Sequence, residues 1–190
     1  MIENKTLEKK VRNINFLLKL FWLGTFFSFA IYLFVVYNVL NNPQEQSSPE
    51  EINENVMIIL TAVFSGIALI SIIFSFVIKY LFTSRTALKN IFQGKLSFII
   101  KRILPELKSK EDENFNGEEN ILFYLKKVLV FHLITWGCIQ NCAIFGMMLS
   151  IISKSFVYAV AGAVFSGIVQ FIHFPSFKYD VEIIITESKE

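Results

Sequence analysis

Gln140 and Asn141 stand side by side in the middle of a long apolar run. An amide there has two uses: contact with a permeating solute or ion, or an interhelical hydrogen bond that fixes packing. The second is the expected one. His132 and His173 lie towards the ends of apolar runs and are read as interfacial hydrogen-bonding residues. Two histidines without a carboxylate or nearby thiol do not complete a metal site, so no metal is expected. Cys138 and Cys142 sit at i and i+4 of one helix face, where the Cβ atoms are too far apart for a bridge. They read as small packing residues. No Asp, Glu or Arg falls within any apolar run, which argues against proton or cation pumping, since such work places an ionisable group in the membrane. There is no nucleophile with a base, no glycine-rich phosphate loop and no pair of intramembrane carboxylates. The expectation is therefore a protein that is not an enzyme and has no cofactor.

The elements that must position these residues follow from hydropathy. Of 190 residues, 54% are hydrophobic, and they gather in runs of about eighteen or more with almost no charge, long enough to cross roughly 30 Å of hydrocarbon. Four spans are expected, at about 16–40, 56–81, 128–152 and 156–174. The first run lacks a small-residue cleavage site and should persist as a helix. The segment between the first two spans carries Glu45, Glu50, Glu51 and Glu54 with no Lys or Arg, whereas Lys and Arg crowd the N-terminus and the segment after Lys79. The positive-inside rule then puts both termini in the cytoplasm. Between the hairpins, Leu88, Ile91, Phe92, Leu96, Ile99, Ile100, Ile103 and Leu107 recur at near-helical spacing among basic residues. This is the pattern of an amphipathic helix in the membrane surface, interrupted at Gly94 and Pro105. Asn116 followed by Glu119 marks a helix start. The net charge of +2 is too small and dispersed for a nucleic-acid partner. Tyr37, Tyr80 and Tyr124 suit the interfacial aromatic belt, and the 21 Phe residues suit lipid-facing positions.

The chain also repeats itself. Ala62-Val63-Phe64-Ser65-Gly66-Ile67 recurs as Ala163-Val164-Phe165-Ser166-Gly167-Ile168, and Gly24 with Ala30-Ile31-Tyr32 aligns with Gly137 and Ala143-Ile144-Phe145. Two related hairpins would share orientation, about an axis along the membrane normal. Small residues four apart let helices approach where no hydrophobic force drives them together. Ala62 and Gly66, Gly137, Cys138, Cys142 and Gly146, and Ala159, Ala163 and Gly167 are therefore the candidate packing positions, expected to face protein.

Gln140-Asn141-Cys142-Ala143-Ile144-Phe145-Gly146 resembles the carboxylate-bearing helix of ATP synthase c subunits, with Gln140 at the position of that family's proton carrier. An amide cannot cycle a proton, so the resemblance implies no proton carriage. Tyr124, the 143–146 word and the fourth span ending at Pro175 resemble a group of small bacterial four-helix membrane proteins. That resemblance implies an inner-membrane location and no activity. The expected architecture is an all-α, polytopic bundle: a cytoplasmic N-terminus (1–15), a first transmembrane hairpin (16–82), a basic amphipathic segment (83–118), a second hairpin (119–175) and a cytoplasmic tail (176–190). The expected function is a membrane subunit or scaffold that packs with itself or with a larger membrane complex in the bilayer. The alternative is a small transporter or channel with a path past Gln140 and Asn141. A third reading gives the basic segment a role at lipid.

Overall fold

The computed structural model describes residues 5–42, 53–114, 116–175 and 181–182. The acidic residues Glu45, Glu50 and Glu51 and most of the charged tail lie outside the described residues. Every regular element described is helical: α1 (Lys5–Asn41), α2 (Glu54–Ile78), α3 (Arg85–Phe92), α4 (Phe98–Ile103), α5 (Gly117–Ser153) and α6 (Phe156–Ile172). Among the described residues, three helical stretches are long and apolar enough to cross a membrane: 9–41, the continuous stretch that begins with α2, and α5. α6 is apolar but has 17 residues, about 25 Å at 1.5 Å per residue. α1 begins at Lys5 rather than near residue 16, because the basic N-terminal stretch continues the helix instead of preceding it.

The chain divides into two compact units. One comprises the chain up to Phe21, Val77–Ile134 and the chain from Pro175; the other comprises Trp22–Phe76 and Thr135–Phe174. α1 and α5 are each longer than a span and contribute to both units.

In the first unit, α2 runs into a π-helical turn at Lys79–Thr83. A wide turn leaves carbonyls poorly matched to the helical ladder, and hydroxyls take them up. Thr83 Oγ1 donates to Lys79 O at 3.1 Å, Ser84 Oγ donates to Tyr80 O at 2.7 Å, and the buried Tyr124 hydroxyl of α5 donates to Phe82 O. Ser84 then caps α3 by accepting from Ala87 N at 3.2 Å. The basic segment is not one amphipathic helix but two short ones. Gly94 takes a left-handed φ of 68° after α3, a conformation open to glycine. α4 stops at Ile103, before Pro105, as the restriction on residues preceding proline requires. Leu88, Ile91, Ile100, Leu104 and Leu107 are buried in protein, while Phe98, Ile99 and Ile103 are exposed.

Asn120 holds this segment to α5. Its Nδ2 donates to Ile91 O at 3.0 Å and to Lys108 O at 2.8 Å, and its Oδ1 accepts from Lys108 N at 2.9 Å. One buried amide thus bonds three backbone groups, both of Lys108 and the carbonyl of Ile91, which also accepts from Gly94 N at 3.2 Å. One turn earlier, Asn116 Oδ1 accepts from Glu118 N at 2.9 Å and caps α5. Gly117 stands so close to α3 that a Cβ would lie 2.6 Å from Phe92 O.

In the second unit, the turn from α5 to α6 is closed by Ser150. Its carbonyl accepts from Ser155 N at 3.1 Å across Lys154, which has a left-handed φ of 53°. This is the backbone bond of a Schellman cap, with lysine where glycine is usual. The Ser150 hydroxyl accepts from Ala159 N at 2.6 Å and so serves a donor in the first turns of α6, which Ser155 leaves uncapped.

Replacing Asn120 with Leu, of similar size, should lower stability by about 1–3 kcal/mol for each group left unsatisfied, measured by unfolding of the purified chain in detergent. At the helical turn, Ser150→Ala should cost about 1 kcal/mol, while Lys154→Gly should stabilise by up to about 1 kcal/mol by relieving the left-handed backbone. The same unfolding measurement reads both.

Candidate functional site

The polar residues of the second unit converge on α1. Thr25 and Ser28 lie one turn apart there, and their hydroxyls donate to the carbonyls of Trp22 and Thr25 at 2.9 and 2.6 Å. Gln140 of α5 is buried against this face. Its Nε2 donates to Thr25 O at 2.7 Å, and its Oε1 lies 3.0 Å from Ser28 Oγ. Gln170 of α6 reaches the same turn, with Nε2 2.7 Å from Thr25 Oγ1, and its backbone carbonyl accepts from Trp22 Nε1 at 2.9 Å. One turn of α1 therefore binds amides from two other helices. Trp22 closes the cluster through ring contacts with Phe26, Phe171 and Phe174 at centroid distances of 5.0–5.5 Å. Asn141, half-buried, donates to Ser71 Oγ of α2 at 3.1 Å. Adjacent amides on α5 thus tie it to two different helices.

Small residues do not all act alike. α5 and α6 meet at Gly146 and Gly162: a Cβ on Gly146 would lie 2.5 Å from Tyr158 O, and one on Gly162 would lie 2.6 Å from Cys142 O and 3.2 Å from Gly146 Cα. Cys142, Ala159 and Ala163 are buried around this crossing, and Ala163 joins Phe29 and Ala143 in a core with Phe26, Tyr32 and Leu33 packed on it. Gly167 meets Phe26 at an ordinary 3.9 Å. Ala62 is exposed and Cys138 half-buried, and nothing lies within 4 Å of a Cβ built on Gly66 or Gly137. Those positions are not at close helix contacts, which differs from the expectation that every small-residue stripe faces protein.

The repeated word is used in two ways. In α6, Ser166 is fully buried and donates to Ile139 O at 3.1 Å, while the matching Ser65 of α2 is exposed. Ser65 instead lines a pocket of about 460 Å³ with Thr61, Phe64, Phe145, Tyr158 and Gly162. The phenylalanines divide as well: Phe29, Phe82 and Phe131 are buried, while Phe27, Phe34 and Phe171 are exposed.

His132 and His173 are both buried in protein, each in its own unit. His173 Nδ1 donates to Val169 O at 2.9 Å, and its ring packs edge-on against Phe76 at 4.6 Å. Among the described residues no three His, Cys, Asp or Glu side chains group as metal ligands, and both thiols are free. Chemically, the arrangement joins helices through amides and hydroxyls. Comparison with family models, with curated proteins and with solved structures found no match.

Gly162 and Gly137 give a paired test of packing. Gly162→Ala should cost about 1–3 kcal/mol through overpacking, and Gly137→Ala should cost nothing because its surroundings are open. Gln140→Leu should cost about 1 kcal/mol, the usual scale of an interhelical hydrogen bond in a bilayer. Unfolding of the three variants in detergent, compared with wild type, is the check.

Proposed function

We propose that the chain is a non-enzymatic, multi-pass membrane subunit that works by packing its helices against another membrane chain, either a second copy or a larger complex. The observation that carries this reading is the bareness of α2. In its most apolar window 11% of residues are buried, against 44% in α5, although α2 carries Ala62 and Gly66 at i and i+4 with open space beside the glycine. Lipid chains cover such a face adequately, but a small-residue pair offers close backbone approach to another helix. The amides that a transport path would use are instead engaged: Gln140 is held by α1 at both ends of its amide. This favours packing over a path.

In this reading α6 completes a set of four spans arranged as two related hairpins. The basic N-terminus and central segment face the cytoplasm with both termini. The resemblance to small bacterial four-helix membrane proteins supports an inner-membrane location. The duplicated word then has a division of labour, one copy closing the bundle at Ala163 and the other left for a partner at Ala62 and Gly66.

Gentle extraction of the tagged full chain and native mass analysis should find a homo-oligomer or a partner in fixed ratio. Gly66→Leu should weaken that association tenfold or more, about 1.4 kcal/mol, with the unfolding midpoint of the chain unchanged. Val63→Leu, a large-for-large change at an exposed site, should leave it intact. A lone wild-type monomer, or a Gly66→Leu variant that associates normally, would overturn the reading.

A further inference from the structure

The first unit carries a second pocket, of about 410 Å³, where the chain leaves α2 for α3 and α4. Its lining changes in character from one residue set to the next. Leu81, Leu96, Ile100 and the ring of Tyr80 are apolar, whereas Thr86, Asn90, Lys95 and Ser97 supply donors and a positive charge. Ser97 Oγ accepts from Ile100 N at 3.3 Å, which uses the oxygen and leaves the hydroxyl proton to donate. Lys95 is exposed. Directly after Ser97, α4 turns Phe98, Ile99 and Ile103 outward, Phe98 at 77% exposure, while Lys101 and Arg102 are exposed on the same short helix. No acidic residue occurs from Lys79 to Pro105.

An exposed phenylalanine and two isoleucines among cations are costly in water and well placed at a bilayer surface, where rings and aliphatic chains enter the acyl boundary and charged heads stay wet. The pocket opens at the end of a helix apolar enough to cross a membrane. A ligand that satisfies both linings must be amphiphilic and anionic, with the negative group at Lys95 and Ser97 and the apolar part along Tyr80 and Phe98. We propose that this pocket binds the headgroup of an anionic phospholipid of the bilayer, with Phe98, Ile99 and Ile103 of α4 seated among its acyl chains. The proposal does not depend on a partner for α2 and stands or falls separately from it.

The test is native mass analysis of the full chain in detergent, titrated with phosphatidylglycerol or with phosphatidylcholine of the same acyl chains. Phosphatidylglycerol should be retained in preference, and Lys95→Ala should weaken its retention about fivefold, the effect of roughly one interfacial cation. Lys127→Ala, on α5, should leave it unchanged. Phe98→Ser should reduce retention of both lipids, and excess inorganic phosphate should not displace phosphatidylglycerol. Equal retention of the two lipids, equal effects of the two lysine substitutions, or ready displacement by phosphate would each overturn the proposal. Because Lys95 and Phe98 are exposed, the unfolding midpoint of each variant should match wild type.

Discussion

The crossing of α5 and α6 at Gly146 and Gly162 is the contact on which the second unit depends. Backbone meets backbone there, with Cys142 and Tyr158 presenting carbonyls where any side chain would have to go. In a lipid solvent such a contact gains little from hydrophobic burial, because hydrocarbon surrounds the helices in either case. What holds it is dispersion between closely fitted surfaces. Closeness then has consequences for the rest of the unit. It carries Ala143 and Ala163 into one core with Phe29, and it goes with a two-residue connection, the left-handed Lys154 and Ser155, closed by Ser150.

Polar groups follow the same economy of contact. Without water, a buried amide needs a partner from another helix, and each partner it finds also fixes rotation about the helix axis. Gln140 and Asn141 are adjacent, so on a helix they point about 100° apart, and they accordingly tie α5 to two different neighbours. Asn120 acts similarly in the first unit, though its partners are backbone groups at the end of α3 and at Lys108, before α5. In both places a single amide serves where a loop or a crossing would otherwise leave groups unsatisfied.

The apolar helices were legible in the sequence because hydrocarbon imposes a composition on whatever crosses it. The start of α1 was less so, since the helix continues through Lys5–Asn15 beyond the apolar run with Val11 and Asn15 buried, whereas Asn116 and Glu119 marked the start of α5. The small-residue pattern indicates which helices could pack closely but not which copy does so: the words at 62–67 and 163–168 are identical, and only their neighbours distinguish them. Gly162 lies one residue before the repeated word and off the 159–163–167 row, so counting stripes misses it. Thr25 and Ser28, near the middle of the first span, give no directional signal because a hydroxyl is satisfied by a carbonyl of its own helix, and Gln170 gives none because an amide near a span end is satisfied equally by water. The break of the basic segment into two helices does have a visible cause in Gly94 and Pro105. The burial of Leu88 and Ile91 does not, because a surface helix and a docked one share the same periodicity.

The π-helical turn at Lys79–Thr83 gives the chain slack. A wide turn accommodates one residue more than the surrounding ladder needs, and here the carbonyls it leaves are held by hydroxyls from Thr83, Ser84 and Tyr124. On one side of that turn α2 is apolar enough to cross a bilayer, and on the other the following segment is held by Asn120. Two fixtures with independent registers seldom match to a whole helical turn, and the wide turn absorbs the difference between them.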